Sequence, residues 1–294
     1  MNKILKTSIA FLLLMAVMSI PACNKNNSQS DASDSNIHSG RKNIECLYYN
    51  SLDFINIPDY ELNAGTVQGC IVPHHLLAKD LIHEVFQNVR KNKYKTVVLI
   101  GPDHESTDRG KVFTTLSSWQ TPTGILETDG ELTQQLMKLS FVKEDDDKLT
   151  IEHSTSSIIP FINYYLKDVK VVTLVLTKQL KLSDMEALTD ALHDNINTDE
   201  TLFVASVDFS HYLSLDEADK MDLISMDAIQ NNNINKIMSF TNDNLDSPIS
   251  IVSMLNVMDK TGASKKMVLN RSNSELILKR EFDETTSYIT YLFY

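Results

Sequence analysis

Residues 204–212, VASVDFSHY, run from small and β-branched side chains straight into Asp208, Ser210 and His211. Two other apolar runs end in the same way. Residues 66–72 lead into VPHH, with His74 and His75, and residues 95–101 lead into GPDHES, with Asp103, His104 and Glu105. A further histidine, His153, stands beside Glu152 in IEHSTSS. Imidazole nitrogens and carboxylate oxygens hold iron, zinc or manganese, and they move protons near neutral pH. One histidine at the end of a strand is usually a cap or a surface residue; three at equivalent ends point to a shared site. The candidate metal ligands are therefore His74, His104 and His211. Asp208 is the candidate acceptor of an imidazole N–H, fixing its tautomer, and His153 the candidate acid–base group. Each has a structural alternative. His74 can cap a strand, Glu152 suits the positive end of a helix dipole, and Asp208 and Ser210 can cap the helix that follows. Ser210 as a nucleophile has little support, because no G-x-S-x-G elbow surrounds it.

Convergence needs a scaffold, and the periodicity supplies one. Runs rich in Val and Ile at 66–72, 95–101, 169–176, 201–207 and 287–294 read as buried strands. Between them, apolar residues recur at three and four positions in 77–92, 130–139, 156–167, 182–196, 217–231 and 248–260, the mark of helices. This alternation predicts an α/β fold, a mostly parallel or mixed central sheet with helices on both faces. In such sheets function gathers beyond the carboxyl ends of the strands, which is where the histidine turns fall. His38, His83 and His193 read as spacer or exposed helix positions, and the KEDDDK run, residues 143–148, as a solvated loop.

The front of the chain says where the chemistry would take place. Lys3 and Lys6 precede a ten-residue apolar run at 9–18, too short to span a bilayer as an ordinary helix. The following SIPAC, residues 19–23, resembles the lipobox of bacterial lipoproteins, which implies that Cys23 is lipidated and becomes the mature N-terminus. An ordinary cleaved signal ending near Ala22 is the alternative. Residues 24–43 hold a single aliphatic side chain and read as a flexible tether. The expected organisation is a signal peptide at 1–22, a tether at 23–43 and one α/β domain at 44–294. The chain would then be lipid-anchored in the bacterial cell envelope. Its formal charge of −12 argues against nucleic acid as a partner, leaving a small molecule and, through the lipid, the membrane. Cys46 and Cys70 either pair or stand as isolated thiols.

The order PHH, LIGPDH, TPTG with a following TD, EHS and DFSHY over residues 66–294 resembles the Memo family, the group containing AmmeMemoRadiSam system protein B. The resemblance implies a fold related to class III extradiol dioxygenases, which hold non-haem iron on two histidines and a carboxylate. Within the family, a copper or iron site on two histidines and a cysteine is the expectation, with no settled reaction. Motif by motif, the family's site falls on His74, His104, Glu152, His153, Asp208 and His211.

This chain departs from the pattern in ways that matter. His75 and Leu76 stand where the family has Ala-Gly. Asp103 and Glu105 are new acids beside His104, and Ser156 replaces a glutamate. Asn244, in NLDSP, replaces the cysteine. Without a thiolate, copper(I) loses its soft ligand. A divalent metal, iron first, with zinc, manganese and copper left open, is the expected cofactor. Asp103, Asp208 or Asp246 would be its third ligand or its support. Two classes of function follow: a metal-dependent envelope enzyme with redox or oxygen chemistry on a small molecule, or a non-catalytic binding protein that keeps the fold around a degenerate site.

Overall fold

In the computed structural model, residues 41–60, 65–105 and 110–294 are described. The signal segment, Cys23 and the tether up to residue 40 lie outside the described residues. Twelve strands are seen among them: β1 (Ile44–Glu45), β2 (Gly69–Val72), β3 (Thr96–Pro102), β4 (Val112–Thr114), β5 (Trp119–Thr121), β6 (Gly124–Leu126), β7 (Val142–Glu144), β8 (Lys170–Leu176), β9 (Thr201–Ser206), β10 (His211–Leu213), β11 (Lys266–Asn273) and β12 (Thr285–Phe293). Nine of them form the main sheet in the order β10-β12-β2-β9-β3-β8-β4-β7, with β11 also paired to β12; β1, β5 and β6 make a small separate sheet.

The centre of the main sheet, β2-β9-β3-β8, is parallel throughout. Its register brings the carboxyl ends together: Val72 lies opposite Ser206, Ile100 opposite Ala205, and Pro102 opposite Leu176. The turns after β2, β3 and β9 therefore leave from one edge. The flanking strands β12 and β4 run antiparallel to their inner neighbours, so the sheet is mixed.

These runs are apolar at consecutive positions because both faces are covered. Val97 and Leu99 join one core with Ile82, Phe86 and Phe161, from the helices Lys79–Val89 and Ile159–Tyr165. Val98 and Ile100 point the other way, to Met185, Leu188 and Met254 of the helices Leu182–Asn195 and Pro248–Thr261. Each such buried aliphatic side chain contributes about 1.5–3 kcal/mol, so the two-faced sheet is the rigid part of the molecule. The expected fold class is the one observed.

Local details differ from the periodicity reading. β11 was not legible, because KMVLNRSN mixes polar and apolar side chains; its residues are mostly half-buried against β12. The KEDDDK run is not a solvated loop. It closes β7 and opens the helix Asp146–Ile151, whose N-cap is Asp145 and whose Lys148 is only 4% exposed. Lys148 is buried because Asp103 meets it there. His83 is fully buried rather than exposed, bonded to the Tyr165 hydroxyl and to the Asp53 carbonyl, each at 2.9 Å. Cys46 and Cys70 are separate buried thiols. No helix among the described residues is long and apolar enough to cross a membrane.

Candidate metal centre

Besides the turn after β9, which carries Asp208, four chain segments build the site. The turn after β2 carries His74, 4% exposed, and the turn after β3 carries His104, whose side chain reaches solvent. The third is the junction of the helices Asp146–Ile151 and His153–Ser156, where Glu152 ends one and caps the other by accepting the Ser154 N–H at 2.9 Å. Gly101 makes this junction fit: a Cβ there would come within 2.7 Å of Ser154 Oγ and 2.9 Å of Thr155 Cγ2. The last is the turn before the helix Pro248–Thr261, which Ser247 caps and Pro248 opens, and which places Asp246.

His74, His104 and His153 each offer a ring nitrogen within 4.8 Å of the others, and His74, Asp208 and Asp246 form a second such group. Asp246 Oδ2 is the link. It lies 3.1 Å from His74 Nε2 and 3.6 Å from His104 Nε2, with Asp208 Oδ2 3.6 Å from His74 Nε2. The rings of His104 and His153 stack at 4.3 Å, and Tyr48 covers His153 at 5.8 Å.

Hydrogen bonds fix which way each imidazole faces. Ser206 has one hydroxyl proton and donates it to the Ser154 carbonyl at 2.5 Å, so it accepts from His74 Nδ1 at 3.3 Å. Glu152 Oε1 accepts from His104 Nδ1 at 2.9 Å, while Oε2 takes the His104 backbone N–H at 2.7 Å. Both rings thus turn Nε2 toward Asp246, as second-shell hydrogen bonding commonly arranges for ligating histidines.

The charges are strongly coupled. Burial opposes a charge on His74, but Asp208 and Asp246 outweigh it and raise its pKa. His104 is likewise opposed by burial, and hydrogen bonds to Asp246 and Glu152 bring it up to about 10. Glu152 falls to about 2, the bonds from His104 and Ser154 overcoming its burial. Asp246 is also held well below the carboxylate range, by both histidines and against its own burial. His153 goes the other way, down to about 4, because burial and its two cationic neighbours disfavour a second proton. Its ring is therefore neutral at pH 7.

The Memo-like protein family matches residues 41–291. This chain belongs to the Memo family. Among its relatives, the MEMO1 family protein of Aquifex aeolicus is 28% identical over 218 residues, covering 70% of this chain and 79% of that protein. The one from Methanosarcina barkeri is 30% identical over 224 residues, covering 73% and 82%. A crystal structure of an uncharacterized Escherichia coli K12 protein aligns with a TM-score of 0.48 at 14% identity, over 76% of this chain and 98% of that one.

Against this Memo-family frame, the structure brings His74, His104, His153 and Asp208 together and leaves His211 out of both donor groups. The reason is topological. After Asp208 the chain turns into β10, which pairs with β12 at the sheet's edge and carries His211 away from β9. There His211 Nδ1 has no hydrogen-bond partner. His153, read as an acid–base group, sits among the donors. Asp208 chiefly receives the His74 backbone N–H, at 3.0 Å, and Asp246 is the carboxylate nearest the two Nε2 atoms. Asn244, expected from the sequence to replace the family's cysteine, turns its amide toward Ser225 Oγ and the Met221 carbonyl.

These residues fit a divalent ion. Buried Asp246 Oδ1 has no hydrogen-bond partner, and the donors on hand are imidazoles and carboxylates with no thiolate. His104 and Asp246 also form one wall of a cleft of about 690 Å³, whose other walls include Asp103, Leu176, Phe240 and Ile249.

Proposed function

We propose that this Memo-family chain is a lipid-anchored envelope metalloprotein. In this reading it holds iron(II), or a similar divalent ion, on His74, His104 and Asp246 and carries out redox or oxygen chemistry on a small molecule in the adjoining cleft. The observation that carries the proposal is the position of Asp246 Oδ2, at 3.1 and 3.6 Å from the Nε2 atoms of two histidines whose Nδ1 atoms are already engaged. Two imidazoles and a carboxylate with open positions are the donor pattern of non-haem iron(II) sites. An ion held there supplies Lewis acidity and, if it is iron, a one-electron couple.

The chain's own residues do the rest. Glu152 and Ser206 hold the two imidazoles in one orientation, and Asp208 secures the His74 backbone. His153, neutral at pH 7 and stacked on His104, is placed to accept a proton from a molecule in the site. Tyr48 packs against one side of that ring. For the anchor, the support is the lipobox-like SIPAC and the polar tether after it.

Elemental analysis of the purified, untagged chain beside a His74→Ala/His104→Ala variant tests the centre. One equivalent of metal that disappears in the variant is expected. No metal in either, with equal thermal stability, would leave a ligand-binding protein on the same fold. Labelling of cells with a radioactive fatty acid tests the anchor: incorporation into the chain, abolished in Cys23→Ala, is expected, and an unlabelled chain overturns it.

A further inference from the structure

Asp103 is one of the acids that set this chain apart from the family pattern, and the metal groups do not include it. Its side chain is 1% exposed and paired with Lys148, itself 3% exposed, at 2.5 Å. Lys148 in turn lies over the Phe113 ring at 5.7 Å. A buried pair of this kind is expensive to desolvate and needs all its remaining valences met. Oδ1 is doubly engaged, by Lys148 and by the Glu105 backbone N–H at 3.0 Å. Oδ2 is buried with no partner, and Asp103 lines the same cleft as His104 and Asp246. An ionised carboxylate oxygen accepts hydrogen bonds and donates none. A donor reaching it from the cleft would complete it. The buried Leu176, Phe240 and Ile249 line that cleft with apolar surface.

We infer that Asp103 is a specificity residue: the cleft takes a compact molecule with an apolar body and a hydrogen-bond-donating head group, a hydroxyl or an amine, which meets Asp103 Oδ2. Lys148 keeps Asp103 oriented, and it neutralises the pair's formal charge. Selection therefore rests on donation rather than on cationic charge alone. The inference builds on the cleft assigned above as the reaction site, but head-group recognition does not require the metal.

Four probes with one apolar body separate the alternatives: benzyl alcohol, benzylamine, benzyl methyl ether and benzoate. Each is titrated by ligand-observed NMR into the full chain, with metal content measured independently. The alcohol and the amine are expected to bind about tenfold or more tighter than the ether and the carboxylate, the scale of a hydrogen bond to a charged group. Asp103→Asn alone strands Lys148 and can fail to fold. The decisive variant is therefore Asp103→Leu with Lys148→Met, an apolar pair of the kind that buried ion pairs tolerate. That variant should keep its melting temperature and lose the discrimination. The inference is overturned if the ether or benzoate binds as well as the alcohol, if no probe binds at millimolar concentration, or if the double variant discriminates as before. Because binding is read with or without metal, an empty metal centre does not decide this result.

Discussion

Glu152 grips His104 at two points, its Oε2 on the backbone N–H at 2.7 Å and its Oε1 on Nδ1 at 2.9 Å. The same carboxylate caps the helix His153–Ser156. One fully buried acid thus fixes where His104 stands, which way its ring faces, and where His153 begins. Glu152→Gln retains the size but loses the charge and one acceptor. Metal affinity should fall about 10–100-fold, the usual effect of losing a ligand's supporting partner, with a smaller loss of stability. Competition with a chelator of known affinity measures the first and thermal denaturation the second; unchanged affinity would remove Glu152 from the site.

His211→Ala is the matching control. Because β10 carries His211 to the sheet edge, outside both donor groups, this variant should retain its full metal content. Loss of metal in His211→Ala, measured by elemental analysis, would restore His211 to the ligand set that the family resemblance implies.

Uptake of metal should release protons. Asp246 and Glu152 raise His104 to about 10, so it is protonated in the metal-free chain at pH 7, and Asp208 and Asp246 shift His74 the same way; both shifts are against burial. A metal on Nε2 must displace those protons, and affinity should climb by up to about tenfold per pH unit for each proton released. The climb continues until pH passes the folded value of about 10 for His104. Calorimetry in buffers of different ionisation enthalpy counts the protons, and a count near zero would contradict this charge state.

Gly101→Val tests the close approach that sets the Glu152 junction. Its branched side chain would meet Ser154 and Thr155 at less than contact distance. A cost of about 1–3 kcal/mol is expected from overpacking, with weaker metal binding because Glu152 moves. Chemical denaturation together with the chelator assay checks both; a destabilised variant with full affinity would show that the junction tolerates the shift.

Acid should weaken the fold through His83. Its pKa is lowered, first by burial, and its Nε2–H donates to the Asp53 carbonyl while Nδ1 takes the Tyr165 hydroxyl proton. Below about pH 6.5 the unfolded chain binds a proton that the folded chain resists, so stability drops as pH falls. His83→Gln should be less stable at pH 7.5 but flatter between pH 7 and 5 in denaturant titrations. Parallel curves for the two proteins would assign the acid sensitivity elsewhere.

Much of the fold was written along the chain. Unbroken Val and Ile runs, as in residues 95–101, can only be strands covered on both faces, and the turns that follow them must then lie at strand ends. That reasoning placed His74, His104 and His211, with Asp208, on one edge from types and spacing alone. It could not say which turn bends where. His211 follows Asp208 by three residues, yet strand pairing with β12 takes it out of the donor groups; Asp246, far along the chain, is brought in by the capped start of the helix Pro248–Thr261. Asp103 and Lys148 show the same limit. In sequence Lys148 looks like a surface charge and Asp103 like a metal ligand or its support, and only the folded chain makes them a buried pair with one oxygen free. Periodicity records how a residue meets its own element and the core, a local property. Which side chains from distant elements share a site depends on register, on sheet order and on close approaches such as that at Gly101, and these exist only once the sheet has closed.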